Sequence, residues 1–104
     1  MKEMTIMYGT ISRMRVKPGC REALVKFMEV ALNLPGSYIG RVMYQMDDDP
    51  DVFYMASVFD SKKGYFTHSD KPETHAIYLK LLELLEGEPQ WHDGEIVFSD
   101  WRGD

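Results

Sequence analysis

Phe59-Asp60-Ser61-Lys62-Lys63-Gly64-Tyr65-Phe66-Thr67-His68-Ser69-Asp70-Lys71-Pro72-Glu73-Thr74-His75 separates a strand-like run from a long amphipathic one. Asp60 or Ser61 can cap a short helix reaching His68, because a Ser or Asp oxygen accepts from the orphan amides of a first helical turn. Pro72 suits the first turn of a second helix, with Asp70 or Lys71 just before it, since its missing N–H is not needed there. Two histidines and several aromatics therefore gather at the edge of a small core.

Downstream, Thr74, Ile77, Tyr78, Leu81, Leu82 and Leu85 recur at steps of three and four, which predicts a helix over Glu73 to Glu86. Leu79 and Leu84 widen the stripe, and Gly87 and Pro89 end it. Glu95 to Trp101 reads as a last strand, which leaves Trp91 and His92 in a loop.

Upstream, Thr5 to Val16 alternates with a period of two, the signature of a strand. Ile6, Tyr8, Thr10, Ser12, Met14 and Val16 share one face; Met7, Gly9, Ile11, Arg13 and Arg15 share the other. Pro18-Gly19 stops this strand. Leu24, Phe27, Met28, Ala31 and Leu34 then make the stripe of a helix from Arg21 to Leu34, ended by Pro35-Gly36. Tyr38 to Met46 and Val52 to Phe59 read as two strands around the turn Asp47-Asp48-Asp49-Pro50-Asp51, so an antiparallel hairpin is expected. The aspartate cluster lacks the glycine and distal glutamate of a calcium-binding EF-hand loop, and a solvated turn is the reading.

The order β-α-β-β-(short α)-α-β is that of an α+β, ferredoxin-like split βαβ fold: an antiparallel sheet with helices on one face. A chain of 104 residues makes one domain, 1–104. At this size it buries only about two thirds of its unfolded surface, so a partner would stabilise it. The sheet face away from the helices carries Met and Tyr, and an apolar face of this size seldom stays bare. A homodimer pressed sheet to sheet is the expected cover.

With a net charge of −5 and no basic stripe, nucleic acid is not an expected partner. No segment approaches the roughly 20 apolar residues of a membrane span, and no signal-peptide pattern opens the sequence, so a cytoplasmic protein is expected. The single cysteine, Cys20, cannot form an internal disulfide, which suits a reducing compartment. Histidines 68 and 75 are seven apart with a proline between; no HxxxH or CxxC spacing exists, and no metal site is expected. Gly-rich phosphate loops and nucleophile elbows are also missing from the sequence.

Three segments carry a resemblance to the antibiotic biosynthesis monooxygenase-type domain of the dimeric α+β barrel superfamily. They are Val16-Lys17-Pro18-Gly19-Cys20-Arg21-Glu22-Ala23-Leu24, the stretch Val58 to Ser69, and the long helix after it. The likeness covers nearly the whole chain and is more specific for fold than for chemistry. It implies a homodimer of ferredoxin-like halves, with a pocket in each subunit between sheet and helices. It also implies oxygenation of quinols or polyketide-like phenols without metal, flavin or other cofactor, although some relatives degrade haem. The first strand here offers no Asn, and Phe66 stands where haem-degrading members carry Trp, so that activity is not expected.

Cofactor-free oxygenation asks the protein to bind a flat aromatic, accept a proton and stabilise an anion. A histidine suits proton transfer. His68 matches the family's histidine position, and His75 follows in the first turn of the long helix, where the helix dipole favours a neutral ring. Tyr54, Phe66, Tyr44 and Tyr65 are candidates to line the pocket, and Arg41 to meet an anionic substrate; core, interface or solvent roles are the alternatives. Two other function classes fit the same fold. One is a small-molecule binding or stress-response module, for which the eight methionines suit an adaptable pocket. The other is a structural dimer whose pocket is filled by its own Tyr and Met side chains.

Overall fold

Alternation along the first strand has a direct structural consequence: β1 (Tyr8–Arg15) buries every second residue. Tyr8, Thr10, Ser12 and Met14 point toward the helices and are buried, while Ile11, on the other face, is 52% exposed. The computed structural model describes residues 6–30 and 36–102. Thr5, expected to start β1, lies outside them, and Val16 forms an isolated antiparallel bridge with Leu85 rather than extending the strand. At Gly19 the backbone takes φ +81°, which a side chain would resist, and the chain turns into α1 (Arg21–Val30). Leu24 of α1 is fully buried, with Phe27 and Met28 packed against the core. The remaining stripe residues Ala31 and Leu34, and Pro35, lie outside the described residues.

β2 (Tyr38–Gln45) and β3 (Val52–Phe59) form the expected antiparallel hairpin. Its aspartate turn is pinned by ion pairs, Arg15 to Asp49 and Arg21 to Asp51, the second at 2.7 Å. Both pairs are open to water and contribute little stability. α2 (Lys62–Ser69) starts at Ser61, whose Oγ accepts from Gly64 N at 3.0 Å. α3 (Pro72–Leu82) carries its proline in the first turn.

Two boundaries differ from expectation. α3 stops at Leu82 rather than Glu86, because the next residues attach to the end of β1. Lys17 N donates to the Leu84 carbonyl at 2.9 Å and Glu86 N to the Arg15 carbonyl at 2.8 Å. Gly87, at φ +103°, then redirects the chain. The last strand, β4 (Gln90–Glu95), lies earlier than the predicted Glu95 to Trp101. β4 pairs with β1 from Gln90↔Arg13 to Glu95↔Tyr8, where β1 begins. After that, Ile96 N donates to the Met7 carbonyl at 2.9 Å. Trp91 and His92 therefore belong to a strand and not to a loop. Val97, Phe98 and Trp101, whose apolar pattern imitated a strand, are 94%, 80% and 72% exposed.

The sheet is antiparallel in the order β2-β3-β1-β4, the ferredoxin-like arrangement. Met14, Val16, Leu24, Phe53, Met55, Leu81 and Leu85 form the core between sheet and helices. Among the described residues, no helix is long and apolar enough to cross a membrane.

Candidate functional site

Between the inner sheet face and the three helices lies a cavity of about 560 Å³. α1 contributes Phe27 and Met28; α2 contributes Tyr65, Phe66, His68 and Ser69; α3 contributes Thr74, His75, Ile77, Tyr78 and Leu81. The sheet contributes Thr10, Tyr38, Arg41, Met55, Ser57, Phe59, Trp91 and Asp93. The volume lies within the range of small-molecule sites, and the lining mixes aromatics with a few polar groups, as such sites do. An open cavity of this size counts against a pocket filled by the protein's own side chains. A second, more charged hollow of about 770 Å³ runs along α1 past Glu22, Lys26 and Gln45, and holds no histidine or tyrosine.

Ser61 starts α2 close against Ser37, at the entry to β2, and Gly64 lets it stay there. A Cβ on Gly64 would lie 2.5 Å from the Ser37 Cβ. This tight seat brings the rings of α2 over the sheet. Tyr65 packs edge-on against Phe59 and Phe66 at centroid distances of 5.3 and 5.0 Å, and Tyr8 touches both Tyr65 and Phe66. His68 lies 5.7 Å from the Phe59 ring, and Tyr78 bridges His75 and Trp91 at 6.3 Å to each.

Burial in this aromatic surround, with a smaller push from Lys71, lowers the His68 pKa below its ordinary value. The ring is thus neutral at pH 7 and able to accept a proton. Thr74 Oγ1 donates to the His68 carbonyl at 2.7 Å and lies 3.5 Å from Nδ1. Tyr65 is the opposite case: burial, and its hydrogen bond to Asp93, push its pKa up to about 12. It therefore keeps its proton and donates it to Asp93 Oδ1 at 3.0 Å. Arg41 donates to the Met28 carbonyl and lies 3.8 Å from its Sδ. Among the described residues no carboxylate pairs with it.

Of the residues singled out from sequence, His68, His75, Phe66, Tyr65 and Arg41 converge on this cavity. Tyr44 and Tyr54 do not. They sit opposite each other on β2 and β3, one residue out of phase with the inner rows, and so point to the far face of the sheet. Thr10, Ser57, Tyr78, Trp91 and Asp93 line the cavity without having been anticipated. One of them left a trace in the sequence: Thr10, like Ser12, is a polar residue on the face of β1 that also carries Tyr8 and Met14. Among the described residues, no three His, Cys, Asp or Glu side chains converge as a metal-ligand set.

No protein-family model matches the chain, and no curated protein does. Solved structures do. A candidate antibiotic biosynthesis monooxygenase from Chloroflexus aurantiacus is 25% identical, with TM-score 0.76 over 93% of this chain and 99% of its own. One from Bordetella bronchiseptica is 14% identical, with TM-score 0.78 over 89% and 99%. A protein of unknown function from Nitrosomonas europaea is 19% identical, with TM-score 0.76 over 98% and 100%. The chain has the antibiotic biosynthesis monooxygenase-type fold.

Proposed function

We propose that the cavity oxygenates a small, electron-rich phenol or quinol without a cofactor, in a homodimer joined through the outer sheet face. The observation that carries this reading is that a neutral His68, in an aromatic surround, shares the cavity with an Arg41 that, among the described residues, no carboxylate neutralises. His68 takes the substrate's hydroxyl proton, with His75 beside it in the first turn of α3. Arg41 stabilises the anion that remains, and Tyr65 and Phe66 flank the ring. The anion passes an electron to dioxygen, and the radical pair combines to a peroxide on carbon. That peroxide recovers the proton from His68 and breaks its O–O bond. One oxygen stays on the substrate carbon and the other leaves as water with two substrate hydrogens. All four electrons come from the substrate, so no separate reductant is needed.

The outer sheet face supports the dimer. Its central row, His92–Ile11–Ala56–Val42, runs across all four strands, with Ile11 and Val42 about half exposed and Tyr44 beside them 56% exposed. The chain 96–102, with Val97 and Phe98 bare, adds apolar surface for a second copy. A reducing cytoplasm suits the single free thiol of Cys20.

Oxygen consumption by the metal-stripped protein, offered a panel of hydroquinones and polycyclic phenols, tests the reading. Uptake that survives chelation and collapses in His68→Ala is expected. Ligand-induced thermal stabilisation with no uptake by any compound would instead favour a binding module. That second reading draws on Asp93, a carboxylate of the cavity lining, whose Oδ1 already accepts from Tyr65.

A further inference from the structure

The registers of the sheet place four polar side chains in one line across the cavity floor. Asp93 on β4 lies opposite Thr10 on β1, Thr10 opposite Ser57 on β3, and Ser57 opposite Arg41 on β2. All four line the cavity. With strands spaced about 4.8 Å apart, they root along a line of about 14 Å. The flanking inner rows are largely apolar or aromatic: Tyr8, Phe59 and Tyr38 on one side, Met55, Met43 and Trp91 on the other.

Thr10 is the telling member. It is only 6% exposed, and among the described residues its hydroxyl makes no hydrogen bond of ordinary length, the Tyr65 phenol beside it being already engaged as donor to Asp93. A buried hydroxyl left unmatched costs about 1–3 kcal/mol, so such groups are normally satisfied. Here the side chain borders the cavity, where a ligand atom can supply the missing bond. Ser12, two residues on along the same face, is equally orphaned but does not line the cavity.

We propose that this rung is the polar recognition edge of the cavity. It rests on the reading of the cavity as the ligand site. Thr10 and Ser57 bind a hydroxyl or carbonyl oxygen midway along a flat ligand, and Arg41 takes an anionic substituent at one end. Asp93, steadied by Tyr65, accepts from a ligand hydroxyl at the other end. The site thus selects a fused aromatic with several oxygens along one edge over a bare ring of the same size.

Calorimetric titration under argon tests this with three probes: 1,4-dihydroxy-2-naphthoic acid, 1,4-dihydroxynaphthalene and 2-naphthoic acid. The wild type, Thr10→Val, Ser12→Ala and a cavity-filling Leu81→Trp variant are compared. The expected result is that Thr10→Val weakens both dihydroxy probes by about tenfold, the worth of one hydrogen bond. It should leave 2-naphthoic acid unchanged and raise the thermal midpoint of the free protein. Ser12→Ala should leave all three affinities unchanged. Probe binding that Leu81→Trp abolishes but Thr10→Val does not alter would overturn the rung and leave the cavity reading standing. A lowered midpoint in Thr10→Val, or equal losses in Ser12→Ala, would also overturn it. Binding that Leu81→Trp does not affect, or none in the wild type, would overturn the rung together with the cavity reading.

Discussion

The Tyr65 hydroxyl donates to Asp93 Oδ1 at 3.0 Å, tying α2 to the edge strand β4. β4 pairs only with β1, and all six of its residues are exposed, so this bond is a rare second hold on it. Tyr65→Phe should destabilise the protein by about 1 kcal/mol or less and speed amide exchange in β4. The raised phenol pKa adds a sign. The unfolded tyrosine ionises near pH 10 and the folded one at about 12, so stability falls as pH rises between those values. Absorbance titration should show one late tyrosine that Tyr65→Phe removes; unchanged β4 exchange in the variant would argue against the tie.

If His68 is the base of the proposed reaction, its proton acceptance has a predictable acid limit. Its folded pKa lies below the ordinary 6.5, so the neutral ring is fully present above that value and is lost as pH falls through the lowered one. Because the unfolded chain takes up this proton first, stability also declines over the same acid window. An NMR titration of the three histidines should find His68 titrating below 6.5. His68→Gln should flatten the acid limb of any oxygen uptake. A value at or above 6.5 would remove the desolvated base from the mechanism.

Gly9 is required by packing rather than by backbone angle. A Cβ there would stand 1.9 Å from the Ser57 carbonyl oxygen, inside the β1–β3 pairing. Gly9→Ala should cost about 1–3 kcal/mol in chemical denaturation, the usual range for overpacking. Gly94, its partner on β4, has nothing within 4 Å of its Cβ position. Gly94→Ala should change stability far less, and equal losses in the two variants would show that the contact does not decide the outcome.

The outer sheet face gives a test of assembly. Ile11 sits on β1, an inner strand, and half its surface is bare. Ile11→Glu would place a carboxylate in the middle of the apolar row, where burial against a second copy leaves it unpaired. Light scattering after gel filtration should show a wild-type dimer and a variant monomer. A monomeric wild type, or a variant that remains a dimer, would rule out this face as the interface.

These particulars show where sequence patterns are informative. β1 alternates cleanly because its outer face carries arginines, so its inner face could be read residue by residue. The hairpin was legible because the aspartate turn leaves few alternatives, and the Ser61 cap because its acceptor chemistry is local. β3 is apolar on both faces, Phe53, Met55 and Phe59 inward and Tyr54, Ala56 and Val58 outward, so no alternation told which side the helices cover. Tyr54, and Tyr44 opposite it, therefore read as pocket residues from sequence, although they face away from the pocket. β4 lies earlier than its apolar pattern predicts because pairing with β1 outweighs local propensity. Gln90 to Glu95 is polar and contains Gly94, yet it meets β1 along its whole length, whereas Ile96 to Phe98, with the better apolar pattern, follows the end of β4. The polar rung requires all three strand registers at once, since its members come from four separate strands.

Trp91 borders the cavity and Trp101 stands 72% exposed on the segment after β4, and these are the chain's two tryptophans. The molecule therefore carries two intrinsic optical probes in different settings. Excited near 295 nm, Trp91 should be quenched by an aromatic guest, while Trp101 should emit like an indole in water until another surface covers it. A blue shift that grows with protein concentration alone would mark association. Quenching that grows with guest at fixed protein concentration would mark occupancy, and replacing either tryptophan by phenylalanine would separate the two signals without an added label.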